Sequence, residues 1–357
     1  MNRKIIGVII ITLSIIFIVA AVLMAIGIIT WSRVVRPPEV PNIPISTPSA
    51  TTPAYMPANP GNNVTRPNHE TDDEMEEEDP PQAQYEVRKP MFFTFLIVGL
   101  TERYNANTIM VASFDSEAQQ GHIISIPRDT AVTAQRANSR IGTAYPAGRL
   151  HGGHDGGIER LKQEVQTIVG FRPDFYIRID YEAFRRMVDA VGGVEVTVPF
   201  HMVYDDPYQN LHINIPAGRQ ILNGHNALHF ARYRMGNDPR HNITDYRRIE
   251  HQQMIISALF RELLTPATLL RIPEFMRIFN DHFSSNLAYG ELVWLADQVR
   301  RIGGMDALQF HTAPTLGTTG APQWFELPDE AGILELVNRT VNPLVRDLTT
   351  DDVDIVR

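Results

Sequence analysis

One unbroken apolar run, Ile5 to Thr30, constrains this chain more than any other feature. It exceeds the roughly 20 residues needed to cross about 30 Å of hydrocarbon. It is apolar all round, and it lacks the short core and small-residue cleavage pattern of a removable leader. Residues 1–36 are therefore expected to hold a cytoplasmic N-terminus and one transmembrane signal-anchor. Arg3 and Lys4 precede the run and favour an N-terminus inside and a remainder outside the cell, against a weaker pull from Arg33 and Arg36.

Composition limits the remainder of the chain. There are 357 residues, 43% of them hydrophobic, which suits one large domain once anchor and linker are set aside. The chain has no cysteine, so disulfides, thiolate metal sites and cysteine nucleophiles are excluded. The net charge is -9, but seven of the eight residues from Asp72 to Asp79 are acidic, so a single stretch carries much of the excess. Nothing resembles the basic footprint of a nucleic-acid binder, and no nucleic-acid partner is expected. Residues 37–90 are rich in Pro, Asn, Thr and acidic side chains and show no apolar periodicity; they read as an extended, disordered tether.

Folding is expected to start at Met91. Residues 92–98 read as a strand buried on both faces, and 108–114 and 122–126 as two more, the last stopped by Pro127 so that Arg128 sits at a strand end. Helical spacing over 158–169 closes at Gly170, residues 175–179 return as a strand, and 181–191 form a helix ended by Gly192-Gly193. A further strand spans 194–198. Later helices are predicted over 245–264, 287–302 and 332–341. Such alternation predicts an α/β sheet with helices on both faces over residues 91–345, followed by a tail at 346–357.

The arginines carry the chemistry. Arg232 and Arg234 lie two apart in a stretch, 229–234, that reads as a strand and would point both guanidinium groups one way. Asp245, Arg248 and Gln252 fall at i, i+3 and i+7 of one helix and share a face. Arg128 and Arg140 could complete the cluster, because forked guanidinium groups suit bidentate capture of phosphate oxygens. For any one of them the alternative is a solvated surface arginine.

Five segments, in order and spacing, resemble the LytR-CpsA-Psr family of bacterial cell-envelope proteins. They are Ser125-Ile126-Pro127-Arg128-Asp129-Thr130, the stretch from Arg140 to Tyr145, the stretch from Val188 to Val196, Leu222 to Leu228 with Ala231-Arg232-Tyr233-Arg234, and Asp245 to Gln252. The resemblance covers most of residues 92 to 342. It implies a three-layer α-β-α sandwich behind one N-terminal transmembrane helix, held at the cell membrane with its domain outside. It also implies a transferase that moves a glycopolymer, such as teichoic acid or capsule, from an undecaprenyl-pyrophosphate carrier to peptidoglycan with Mg²⁺ at the pyrophosphate. Arg128 and Asp245 would then be catalytic, and Arg128, Arg140, Arg232, Arg234, Arg248 and Gln252 would bind the pyrophosphate. A non-catalytic binder of the same lipid-linked glycan is the alternative.

The chain departs from the family pattern at the metal. That pattern has aspartates where this sequence has Thr101, after Gly99-Leu100, and Asn107, before Thr108. Both carboxylates are absent, and Mg²⁺ is usually held through one or two of them. Glu102 and Asp129 are the substitutes nearby in sequence. His251 stands where the family commonly has arginine. The segment His151-Gly152-Gly153-His154-Asp155 reads either as a solvated glycine loop or as a pair of imidazoles able to ligate a divalent ion.

Overall fold

The computed structural model describes residues 35–42 and 85–356, apart from 102–103, 133–139, 210, 266–267, 269–271, 303 and 320–323. The expected anchor and most of the tether lie outside these residues, as does Glu102. Among the described residues no helix is long and apolar enough to cross a membrane.

The central sheet is built from β1 (Phe92–Leu100), β2 (Ala106–Asp115), β3 (Gln120–Ser125), β4 (Phe175–Ile179), β9 (Ser284–Ser285) and β10 (Leu308–Thr312). Its order is β10-β3-β2-β1-β4-β9. β2 runs antiparallel to β1 and β3, while β4 is parallel to β1 and β10 parallel to β3. β1, β3, β4 and β10 therefore all end at one edge of the sheet. Alternation along the strands feeds two cores. Leu96, Val98, Ile109 and Ile124 pack with Leu161 and Val165 of α1 (Ala144–Val169) and with Ile333 and Val337 of α7 (Glu330–Thr340). Phe93, Phe95, Met110 and Ile123 face the other way, toward Trp294 and Leu295 of α6 (Tyr289–Arg301). Full burial contributes about 1.5–3 kcal/mol for each such side chain, which drives the expected three-layer α-β-α arrangement.

A second body of structure lies beside the sheet. The strand at 194–198, read from the sequence as part of the alternating sheet, is β5 (Val194–Val198), and it pairs instead with β8 (Gly218–Leu222). Gly192 and Gly193 have φ of 91° and 100°, and a Cβ at Gly193 would meet Ile221 Cγ2 at 2.7 Å. Only glycine turns the chain away here. The hairpin of β6 (Met202–Asp206) and β7 (Leu211–Ile215) joins it. Together with α2 (Tyr181–Ala190), α3 (Gly224–Arg232) and α4 (Asp245–Leu263), these strands enclose Val194, Ile213, Phe230, Tyr233 and Ile255.

Residues 229–232 are helical, not a strand. Asn223 caps α3 by accepting the Asn226 N–H at 2.9 Å, and its polar side chain sets a helix start that outweighs the two-residue pattern downstream. Arg232 thus ends a helix, and Arg234 follows two residues past it, outside any helix or strand.

The expected tether and tail boundaries also shift. Pro38 is buried and Val40 packs with the Trp294 cluster. Arg88 pairs with the buried Asp174 at 2.8 Å, and the N–H groups of Lys89 and Val345 donate to Pro343 and Val87 carbonyls. Arg346 bridges Glu86 and Asp352, each at 2.7 Å, while Leu348 enters the main core. Residues 85–90 and 346–356 are therefore parts of the folded body, because a buried ion pair and apolar contacts fix them.

Candidate functional site

Three sequence regions meet at the carboxyl edge of β3. Pro127 lacks an N–H and ends that strand, which leaves Arg128 and Asp129 at its mouth. Arg128 Nη1 donates to Asn107 Oδ1 at 3.0 Å, across the start of β2. Its Nε lies 3.6 Å from Asp129 Oδ2 and 3.8 Å from Asp245 Oδ1. Arg140 donates to Asp129 at 2.9 Å and lies over the Phe325 ring. At the start of α4, capped by Thr244, Asp245 Oδ1 is 2.7 Å from Arg248 Nη2. Both side chains of that pair are buried.

Charge repulsion and burial act together on Arg248. Burial brings its pKa down to about 10; Asp245 opposes this, whereas Arg128 and Arg234 add to it. The guanidinium stays charged at neutral pH, close to other cations and short of water. Arg128, Arg140, Arg234 and Arg248 outnumber Asp129 and Asp245, and the buried Asp245 Oδ2, Arg128 Nε and Arg248 Nε have no hydrogen-bond partner. A buried polar group in this condition costs about 1–3 kcal/mol, so the cluster favours an anionic guest that supplies acceptors and charge.

Of the other expected members, Arg232 and Gln252 stand apart, while Arg234 lies at the exposed rim, near enough to act on Arg248. Arg232 lies 4.5 Å over the Tyr181 ring, on the side of α3 that holds His229. Gln252 donates to the Ala231 carbonyl at 3.4 Å and so fastens the end of α3 to α4. Arg234 is exposed, and its own carbonyl accepts from Ile243. His251 is stacked on Phe230 at 4.4 Å inside the second core, a flat apolar slot unlike one an arginine would occupy.

The metal positions are already engaged. Thr101 Oγ1 accepts the Asn105 N–H at 3.1 Å, and Asn107 Oδ1 accepts from Arg128. A Mg²⁺ ion at Asn107 would face a guanidinium, and Asp129 is paired with Arg140. Among the described residues no group of three His, Cys, Asp or Glu is placed to hold a metal. The described donors therefore do not fit Mg²⁺ by themselves. His151 and His154 do not converge as ligands either: Gly152 and Gly153 break α1 there, His154 Nδ1 meets Tyr145 Oη at 2.6 Å, and His151 Nδ1 lies 3.3 Å from the Ala147 carbonyl oxygen.

Two further parts had no clear sequence signal. Gln253 donates to Ser125 Oγ and the His311 carbonyl, both at 3.1 Å, which locks α4 onto β3 and β10 and brings Asp245 to Arg128. The hairpin of β11 (Thr315–Thr318) and β12 (Glu326–Pro328) borders the cluster. Its Glu326 N–H donates to the Asp129 carbonyl at 3.0 Å, and its Glu326 and Thr315 side chains group with Tyr246. Strands of three and four residues with irregular burial leave no periodicity to read.

The molecule is thus an α-β-α sandwich of the α/β class with an arginine-rich cluster at the carboxyl edge of its sheet, the edge where open α/β sheets bind their ligands. The LytR_cpsA_psr family model matches residues 61–336, and the chain belongs to that family. It is 22% identical over 274 residues to the Bacillus subtilis polyisoprenyl-teichoic acid–peptidoglycan teichoic acid transferase TagU, covering 75% of this chain and 82% of that one. To the B. subtilis transferase TagV it is 26% identical over 211 residues, 57% of this chain and 51% of that one. The cell wall biosynthesis protein LcpA of Corynebacterium glutamicum is 28% identical over 255 residues, 65% of this chain and 47% of LcpA. The chain thus spans about half the length of TagV and LcpA. The crystal structure of B. subtilis TagV superposes with a TM-score of 0.58 at 20% identity, covering 70% of this chain and 96% of that one. The structure of TagT bound to LIIa-WTA gives 0.54 at 15% identity, covering 70% and 89%.

Proposed function

We propose that this protein is a cell-wall glycopolymer transferase, anchored in the cell membrane with its domain outside, that takes its polymer from an undecaprenyl-pyrophosphate carrier and attaches it to peptidoglycan. The observation that carries this reading is the crowding of Arg128, Arg140, Arg234 and Arg248 around two carboxylates, with buried polar atoms left unpartnered. A pyrophosphate supplies both the charge and the acceptors that the cluster lacks. The names of TagU and TagV indicate the same chemistry in relatives.

In this reading a peptidoglycan hydroxyl attacks the glycan-side phosphorus. The new P–O bond forms as the bond to the bridging oxygen breaks, and the lipid phosphate leaves with that electron pair. Negative charge grows on the leaving oxygen, where fixed guanidinium groups stabilise it most, since phosphoryl transfer depends chiefly on positioning and electrostatics. Arg128 and Arg248 sit deepest and would meet that charge, while Arg234 and Arg140 would hold the outer oxygens. Asp245 Oδ2, the oxygen of that carboxylate not facing Arg248, would take the hydroxyl proton.

A second reading, a binder that does not catalyse, draws on Thr101 and Asn107 being committed to the protein's own hydrogen bonds. The two are separated by incubating the full-length chain with undecaprenyl-pyrophosphate-linked glycan and peptidoglycan. Covalent attachment of polymer to the wall supports transfer; retained lipid binding with no attached polymer supports the binder.

A further inference from the structure

A second cationic cluster lies along the same sheet edge, outside the site described above. Arg178 is the penultimate residue of β4, and Arg149 is on the first half of α1. The Arg149 guanidinium lies 3.8 Å over the Tyr104 ring, just after β1. The glycine break in α1 brings His154 back toward both arginines: its ring is 5.8 Å from that of Tyr104, and its Nδ1 is 2.6 Å from Tyr145 Oη and 3.5 Å from Arg178 Nη1. With two donors converging on Nδ1, the imidazole proton belongs on Nε2, which leaves that N–H as a donor.

Among the described residues neither Arg149 nor Arg178 has a carboxylate partner, and the Nε atoms of both are buried without a hydrogen bond. Like charges gathered without a counter-charge cost free energy unless an anion joins them. The place suits a ligand as well, because it lies beyond the carboxyl ends of the parallel strands β1 and β4, where open α/β sheets bind their guests. Along that edge the order is Arg128 after β3, Asn107 on β2, Tyr104 after β1 and Arg178 on β4. Three strand spacings of about 4.8 Å put the two clusters roughly 14 Å apart. That is too far for one pyrophosphate and within reach of an extended glycan.

We propose that Arg149 and Arg178, with Tyr104 and the His154–Tyr145 pair, form a second oxyanion subsite that holds a phosphate group of the glycan chain while the first cluster holds its pyrophosphate. The assignment of the ligand to the donor polymer rests on the proposed transfer reaction; the subsite itself rests on the geometry.

The test is calorimetric titration of the full-length chain with inorganic phosphate. Two sites are expected in the wild type, and Arg149→Gln with Arg178→Gln should weaken one at least tenfold while the other persists. Arg234→Gln should do the reverse. In parallel, phenylglyoxal modification of the wild type, mapped by mass spectrometry, should show Arg149 and Arg178 protected by phosphate but not by acetate at the same ionic strength. This arm needs no variant to fold. A single phosphate site that survives the double substitution, unprotected Arg149 and Arg178, or equal protection by acetate would each overturn the subsite. Loss of the second phosphate site from a chain that never transfers polymer would uphold the subsite and remove only the transferase reading.

Discussion

Arg248 and Arg234 are both arginines of the candidate site, yet truncating them should have different consequences. Arg248 is buried against Asp245, so Arg248→Ala strands a carboxylate and should cost about 3–5 kcal/mol of stability along with ligand affinity. Arg234 is exposed, so Arg234→Ala should leave the melting temperature unchanged and weaken lipid-pyrophosphate binding by about 1.5–3 kcal/mol, with Lys restoring only part. Thermal melts and a binding isotherm on the same preparations check both. The metal gives a sharper contrast. The free wild-type domain should bind Mg²⁺ negligibly, whereas Thr101→Asp with Asn107→Asp should bind it measurably by calorimetry; strong wild-type binding would point to Glu102 or Asp129 as ligands. At this scale the sequence was informative for Arg128, Arg140, Asp245 and Arg248, which the fold does gather. It misled for Arg232, because two-residue spacing implies one side only in a strand, and this residue ends a helix.

Elements were legible where burial imposes a period. β1 is a run buried on both faces, and α1 closes at Gly170, whose φ of 81° a non-glycine residue would resist. α3 escaped because nine residues of mixed polarity carry little periodicity, and its start is fixed by a cap. Asn223→Ala should therefore cost about 1 kcal/mol, seen as a lower urea midpoint with an unchanged slope. It should also weaken pyrophosphate binding through Arg234, which the end of α3 positions. The β11–β12 hairpin was illegible for a different reason: what fixes it is long-range, a backbone bridge to Asp129 and a Tyr246–Thr315–Glu326 contact that no local pattern encodes.

The molecule as a whole should be acid-sensitive through its second core. Burial lowers the His251 pKa from 6.5 to about 4, with Arg247 acting the same way and Glu250 opposing, and burial first of all does the same to His229. Between those values the unfolded chain takes up a proton that the folded core refuses. The stability is therefore complete above about pH 6.5 and lost as pH falls toward 4, on the order of 3 kcal/mol for His251. His251→Phe keeps a ring on Phe230 and should flatten the melting temperature between about pH 7 and pH 5; an unchanged slope would assign the sensitivity elsewhere.

Arg346 holds Glu86 and Asp352 at once, and the backbone strands around Val87 and Val345 run side by side. Residues 85–356 are consequently a closed loop of chain, with entry and exit at one spot. Residue 356 could be joined to residue 85 by a short glycine-serine bridge and new ends opened at the exposed turn 216–217 between β7 and β8 without loss of the native melting transition. Failure of such a permutant to fold would mean that the N-terminal lead must dock before the rest. Success would mean that residues 85 and 356 leave the folded body at the same point on its surface, so a partner fused at 356 would sit beside the segment that enters at 85.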